Sequence, residues 1–101
     1  MPTLPQSRSP EDLEFGPRHK SFDIEAALAS DWHDGSAFVT AWFNAMSLLF
    51  PLGEKFFIDS VIHFIDEIDD PRLRAEIAAF RAQESTHRVQ HQKYNEMLCR
   101  L

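Results

Sequence analysis

Basic residues are in short supply: ten Lys and Arg stand against sixteen Asp and Glu, a net charge of −6. The ten are scattered and build no basic face, which excludes a phosphate-binding surface and with it a nucleic-acid partner. Cysteine is nearly absent. The single thiol, Cys99, has no internal disulfide partner, which fits a reducing compartment and a cytoplasmic location. The start of the chain shows neither the apolar run of a secretory signal nor the Arg-rich, acid-poor character of a transit peptide. Period-two alternation, internal repeats and low-complexity runs are missing too, so the expected class is all-α. Gly35 to Gly53 lacks any charge and nearly reaches membrane-spanning length. Ser36, Thr40, Asn44 and Ser47 recur through it, however, and Pro51 follows inside it, so a helix buried in protein is the better reading.

At 101 residues there is room for one small domain with a thin core. Residues 1–22 carry four of the six prolines, Pro2, Pro5, Pro10 and Pro17, among charged residues, and read as an extended or disordered arm. Residues 23–101 read as the helical, metal-binding domain. Asp23 to Ser30 suits a short helix, and Asp31 to Gly35 a turn. Ser36 to Phe50 suits a helix burying Phe38, Trp42, Ala45 and Leu49 along one face, with Val39, Phe43, Met46 and Phe50 beside them. Pro51 stops or kinks that helix, and Leu52 to Ile68 resumes the helical period. Asp70 followed by Pro71 is a capping aspartate before a first-turn proline, the start of a last helix running to Leu101.

That last helix has an unusual seam: Leu73, Ile77, Phe80, Glu84, His87, His91, Tyr94 and Leu98 fall at steps of three and four and share one face. Three metal-ligand side chains therefore occupy core positions, where an unpaired charge is costly. The preceding helix repeats the pattern, because Glu54 shares its face with Phe57, Ile58, Val61, Ile65 and Ile68. A short turn at Asp69 and Asp70 makes the two helices antiparallel neighbours. Glu54 precedes that turn by about 15 residues and Glu84 follows it by about 14, so both lie roughly 20 Å from it at 1.5 Å rise per residue. They are expected to be level.

A carboxylate on one helix opposite Glu-x-x-His on its neighbour is half of the dimetal site of ferritin-like bundles. The donor types suit iron or manganese, with zinc a further candidate. His91, one turn beyond His87, adds a ligand or steadies the others. The competing explanation is a metal-free polar layer in which Glu54 pairs with Arg81 or Arg88. The zinc-protease motif is excluded, since Arg88 stands where His-Glu-x-x-His needs its general base. Asp59, His63 and Asp66 lie opposite the Glu54 stripe and read as a solvated face, His19 and His33 fall in the arm and a turn, and Asn95 prolongs the polar edge of the seam.

The runs LFPLGEKFF (Leu49 to Phe57), DDPRL (Asp69 to Leu73), FRAQESTH (Phe80 to His87) and HQKYNE (His91 to Glu96) resemble the bacterial family of predicted metal-dependent hydrolases, in order and in spacing, over roughly residues 31 to 97. The resemblance implies a ferritin-like fold, with Glu54, Glu84, His87 and His91 at the family's metal-ligand positions. Members of that family are usually longer, with a later half that supplies further helices and ligands. The expectation is therefore an N-terminal half, or a chain that completes the site by homo-oligomerising. Three functions follow: a metal-dependent hydrolase, a di-iron oxygenase or ferroxidase on the same ligands, and a metal-free helical association module. No residue pattern specifies the substrate or a catalytic group beyond the ligands.

Overall fold

The computed structural model describes residues 9–101; the first eight residues of the expected arm lie outside the described residues. Among the described residues four α-helices and one 3-10 turn follow in order: α1 (Glu25–Leu28), α2 (Ala37–Ser47), α3 (Phe50–His63), the turn Ile65–Glu67 and α4 (Pro71–Cys99). No strand occurs among the described residues, so the chain is all-α as its periodicity predicts.

The helix boundaries have local causes. The segment before α2 closes with Asp34 at φ 52° and Gly35 at φ 71°, a left-handed step that glycine accepts without a Cβ penalty. Ser36 then caps α2 by accepting from the Val39 amide at 3.3 Å. The chain breaks at Leu48 and Leu49, and Pro51 sits in the first turn of α3, where its missing N–H leaves no helical bond unmade. The period that runs on to Ile68 in the sequence ends earlier as α-helix, at His63, and finishes in the 3-10 turn. Asp70 accepts from the Arg72 amide at 2.9 Å and starts α4, with Pro71 in its first turn.

The long helix α4 is the spine. It packs chiefly against α3 and less extensively against α2 and α1. The described part of the arm has no helix and runs beside α4: Ser9 donates to Glu76 at 3.2 Å, Arg72 donates to the Ser9 and Pro10 carbonyls, and Gln83 reaches the Gly16 carbonyl.

The burial of α2 differs from the sequence expectation. Its apolar stripe faces outward, with Phe38 77 % and Trp42 59 % exposed, whereas the polar Thr40 and Ser47 are buried. The reason lies on α4, whose side chains at this level are polar. Ser47 Oγ donates to Asn95 Oδ1 at 2.7 Å, Asn95 Nδ2 donates to the Ser47 carbonyl at 3.0 Å, and the Tyr94 hydroxyl donates to Asn44 Oδ1 at 2.6 Å. Trp32 Nε1 donates to the same Asn44 oxygen at 3.1 Å. Hydrogen bonds rather than apolar contact thus fix the phase of α2, since buried polar groups require partners. Asn95→Ala removes both links to Ser47 and leaves a buried hydroxyl unpaired. A loss of about 1–3 kcal/mol is expected, read as a lower thermal midpoint than that of Gln92→Ala, an exposed neighbour on α4.

Candidate metal centre

Glu54 sits in the second turn of α3 and is 7 % exposed. The ring edge of Phe50, one turn back, rests on His91 of α4 with 4.7 Å between centroids. This contact sets His91 beside the carboxylate, with Nε2 3.5 Å from Glu54 Oε1. The other carboxylate oxygen, Oε2, is buried without a hydrogen-bond partner. Glu84 and His87 stand one turn apart on α4, His87 Nδ1 lying 4.0 Å from Glu84 Oε2. The helix pair is antiparallel and level at this point, so Glu54, Glu84 and His87 each present a donor atom within 4.8 Å of the other two. Among the described residues this is the group of three or more ligand-type side chains found close enough to hold one ion.

The donor set fits a cation. Carboxylate oxygens and imidazole nitrogens bind such ions at about 2.0–2.2 Å, which places neighbouring donors about 3–4.4 Å apart, close to the spacing already present. A buried oxygen with no partner carries a desolvation cost, and a bound cation removes it. Burial raises the Glu54 carboxyl above its ordinary range and the charge of Glu84 raises it further, while His87 and Arg88 pull it down. Burial also lowers His91, with His87 acting in the same sense and Glu84 against it. A lowered histidine favours the neutral imidazole, the form that binds a metal.

The four residues singled out from the sequence are therefore close together, with Glu54, Glu84 and His87 in one tight group and His91 against Glu54. The arginine-paired layer is not what forms: among the described residues no ion pair joins Glu54 to Arg81 or Arg88. Arg88 nonetheless lies near the site, with its Nε buried and unpaired. Of the two arginines named as candidate partners of Glu54, Arg88 is the one whose charge acts on that carboxyl, without forming an ion pair. Asp59 pairs instead with Lys55, and His33 stacks on Phe43 at 4.8 Å. Cys99 is exposed.

The centre opens to solvent through His87, whose side chain is 58 % exposed. A groove of about 440 Å³ runs beside it between the arm and α4, lined by Arg18, Lys20, Gln83, Gln90, His87 and His91 among others. No helix among the described residues is long and apolar enough to cross a membrane.

Fold and cluster together define an all-α chain with a carboxylate and histidine group able to hold a divalent metal on an antiparallel helix pair. The chain belongs to the family of predicted metal-dependent hydrolases, whose sequence model matches residues 16–101. Comparison with curated proteins and with solved structures gives no significant match.

Proposed function

We propose that this chain is a metal-dependent hydrolase that binds iron, manganese or zinc through Glu54, Glu84, His87 and His91 in a ferritin-like arrangement, in a cytoplasmic setting. The observation that supports the reading is the buried, unpartnered Oε2 of Glu54, on a carboxylate grouped with Glu84 and His87 and in no ion pair with an arginine. A divalent metal held there supplies a water of lowered pKa and polarises the bond to be cleaved. The chain's own groups do the rest. A carboxylate oxygen of Glu54 or Glu84 left free by the metal accepts the proton of the attacking water. Apolar packing by Phe50 holds His91, and His91 holds Glu54, so the acceptor keeps its place. Arg18, Lys20, Gln83 and Gln90 offer donors along the groove that leads to His87, a lining suited to orienting a substrate rich in oxygen acceptors.

Anaerobic loading with Mn(II) or Fe(II), followed by assay on activated carboxylate and phosphate esters, tests the proposal. Turnover that chelation abolishes, that metal restores and that Glu54→Ala lacks is expected. A metal-loaded protein that cleaves neither ester class, and whose ferrous form instead consumes dioxygen, overturns hydrolysis in favour of oxidative chemistry on the same ligands.

A further inference from the structure

We infer that the groove between the arm and α4 binds a small amphipathic anion, its anionic group held by Arg18 and Lys20 of the arm beside His87, and its apolar part lodged past His91 against Ile24, Tyr94 and Met97. Naming that ligand as the substrate class of the metal centre rests on the metal-binding reading above. The groove's affinity for it does not.

Two cavities meet at His91. The groove of about 440 Å³ beside His87 and a second cavity of about 400 Å³ further along α4 share Phe22, Gln90 and His91 in their walls, so they form one trough. His91 Nε2 stands 3.5 Å from Glu54 Oε1, and the junction is therefore also where the trough meets the carboxylate and histidine group. Each cavity alone falls in the volume range of small-molecule sites, about 300–1,000 Å³.

One half of the trough is basic. In a chain with sixteen Asp and Glu against ten Lys and Arg, no acid lines the groove beside His87, whereas Arg18 and Lys20 both do. Docking of the arm uses neither of them. The arm is held through its main chain, with Arg72 donating to the Ser9 and Pro10 carbonyls and Gln83 Nε2 to the Gly16 carbonyl at 3.5 Å. Among the described residues Arg18 and Lys20 enter no ion pair. A guanidinium and an ammonium on an acid-free groove suit a carboxylate or phosphate group. Two cations serve one small anion, whereas a polyanion needs a long row of them.

The other half is apolar. Ile24, Tyr94 and Met97 are half-buried members of its wall, and the exposed ring of Phe22 borders both halves. Tyr94 commits its hydroxyl to Asn44 at 2.6 Å, and Asn44 is not part of the wall, so Tyr94 contributes ring carbon to the cavity. Lys93, Glu96 and Arg100 also line it but are exposed, long side chains whose charged ends reach water while their stems cover apolar surface. An apolar group that enters here removes Phe22, Ile24 and Met97 from water. A ligand anionic at one end and apolar at the other satisfies both halves at once, with the metal centre beside the place where they join.

Isothermal titration of the metal-free protein with hexyl phosphate, hexanoate, inorganic phosphate and hexanol tests this, beside a separate Mn(II) titration of each variant. Hexyl phosphate or hexanoate is expected to bind at least about tenfold more tightly than inorganic phosphate or hexanol, and the tighter of the two identifies the anionic group. Arg18→Ala and Lys20→Ala are each expected to weaken that binding roughly tenfold and to leave Mn(II) affinity unchanged. Lys55→Ala removes the same charge from α3, outside the trough, and is expected to change neither. Met97→Ser is expected to weaken hexyl phosphate and not inorganic phosphate, with unchanged Mn(II) affinity showing that the helix pair is intact. Mn(II) uptake without binding of either amphipathic anion overturns the groove assignment and leaves the metal reading standing. Hexyl phosphate binding that depends on Arg18, in a protein that takes up no Mn(II), supports the groove and overturns the metal reading. Equal affinity for hexyl phosphate and inorganic phosphate, or equal affinity in wild type, Arg18→Ala and Lys20→Ala, overturns the proposal.

Discussion

Glu54→Ala is expected to reduce divalent metal affinity by more than about 100-fold, beyond the 10–100-fold that loss of a supporting neighbour typically costs. Glu54 is the buried member of the cluster and the one ligand on α3, so without it the remaining donors all come from a single helix. His87→Ala and His91→Ala are each expected to lower affinity at least tenfold. The folding cost of Glu54→Ala is expected to be small or negative in the metal-free protein, because the removed group is a buried carboxylate beside another. Isothermal titration with Mn(II), run beside thermal unfolding of each variant, separates lost ligation from lost structure. Equal affinity in wild type and Glu54→Ala shows that metal binds elsewhere.

The second large effect is on stability. An ion at 100 times its dissociation constant stabilises the folded chain by about 2.7 kcal/mol, a rise of roughly 10–20 °C in midpoint for a chain of this size. Glu54→Gln keeps the shape of the side chain and removes its charge. It is expected to raise the midpoint of the metal-free protein and to abolish most of the rise that metal produces. The sign follows from the direction in which burial and Glu84 move the Glu54 carboxyl. A carboxyl raised in the folded state favours folding while it is protonated, and that contribution is lost as pH climbs from the ordinary value of 4.5 through the raised one. The midpoint of metal-free wild type is therefore expected to fall relative to Glu54→Gln over that range. Parallel pH profiles for the two proteins contradict a buried, charge-strained Glu54.

Much of this centre was legible in the sequence because helical periodicity converts spacing into direction. Glu54, Glu84 and His91 lie where α3 and α4 meet, whereas His87, expected at a core position, has a side chain 58 % exposed; the short connection at Asp69 and Asp70 sets the register that makes Glu54 and Glu84 level. The start of α4 was legible for a similarly local reason, an aspartate cap before proline. The face of α2 was not. Hydrophobic periodicity there points Phe38, Trp42 and Leu49 inward, but Asn44 and Ser47 are bound by Tyr94 and Asn95, and the polar contacts prevail. The signal that identifies the packed face is the helical spacing of Ser36, Thr40, Asn44 and Ser47, and it acquires meaning once the polar residues of α4 are known to lie opposite. Arg88 was legible as a neighbour of Glu54, and its charge does reach that carboxyl, but whether the long side chain closes an ion pair depends on how it folds beside the helix pair, which spacing does not encode.

The most direct measurement is anomalous diffraction from crystals of the Mn(II)- or Fe(II)-loaded protein, collected on either side of the metal absorption edge. The expected result is an anomalous peak between α3 and α4, about 2.0–2.3 Å from donor atoms of Glu54, Glu84 and His87. An absent peak, or one elsewhere on the chain, with Glu54 Oε2 paired to a protein group, contradicts the assignment of this cluster as a metal centre.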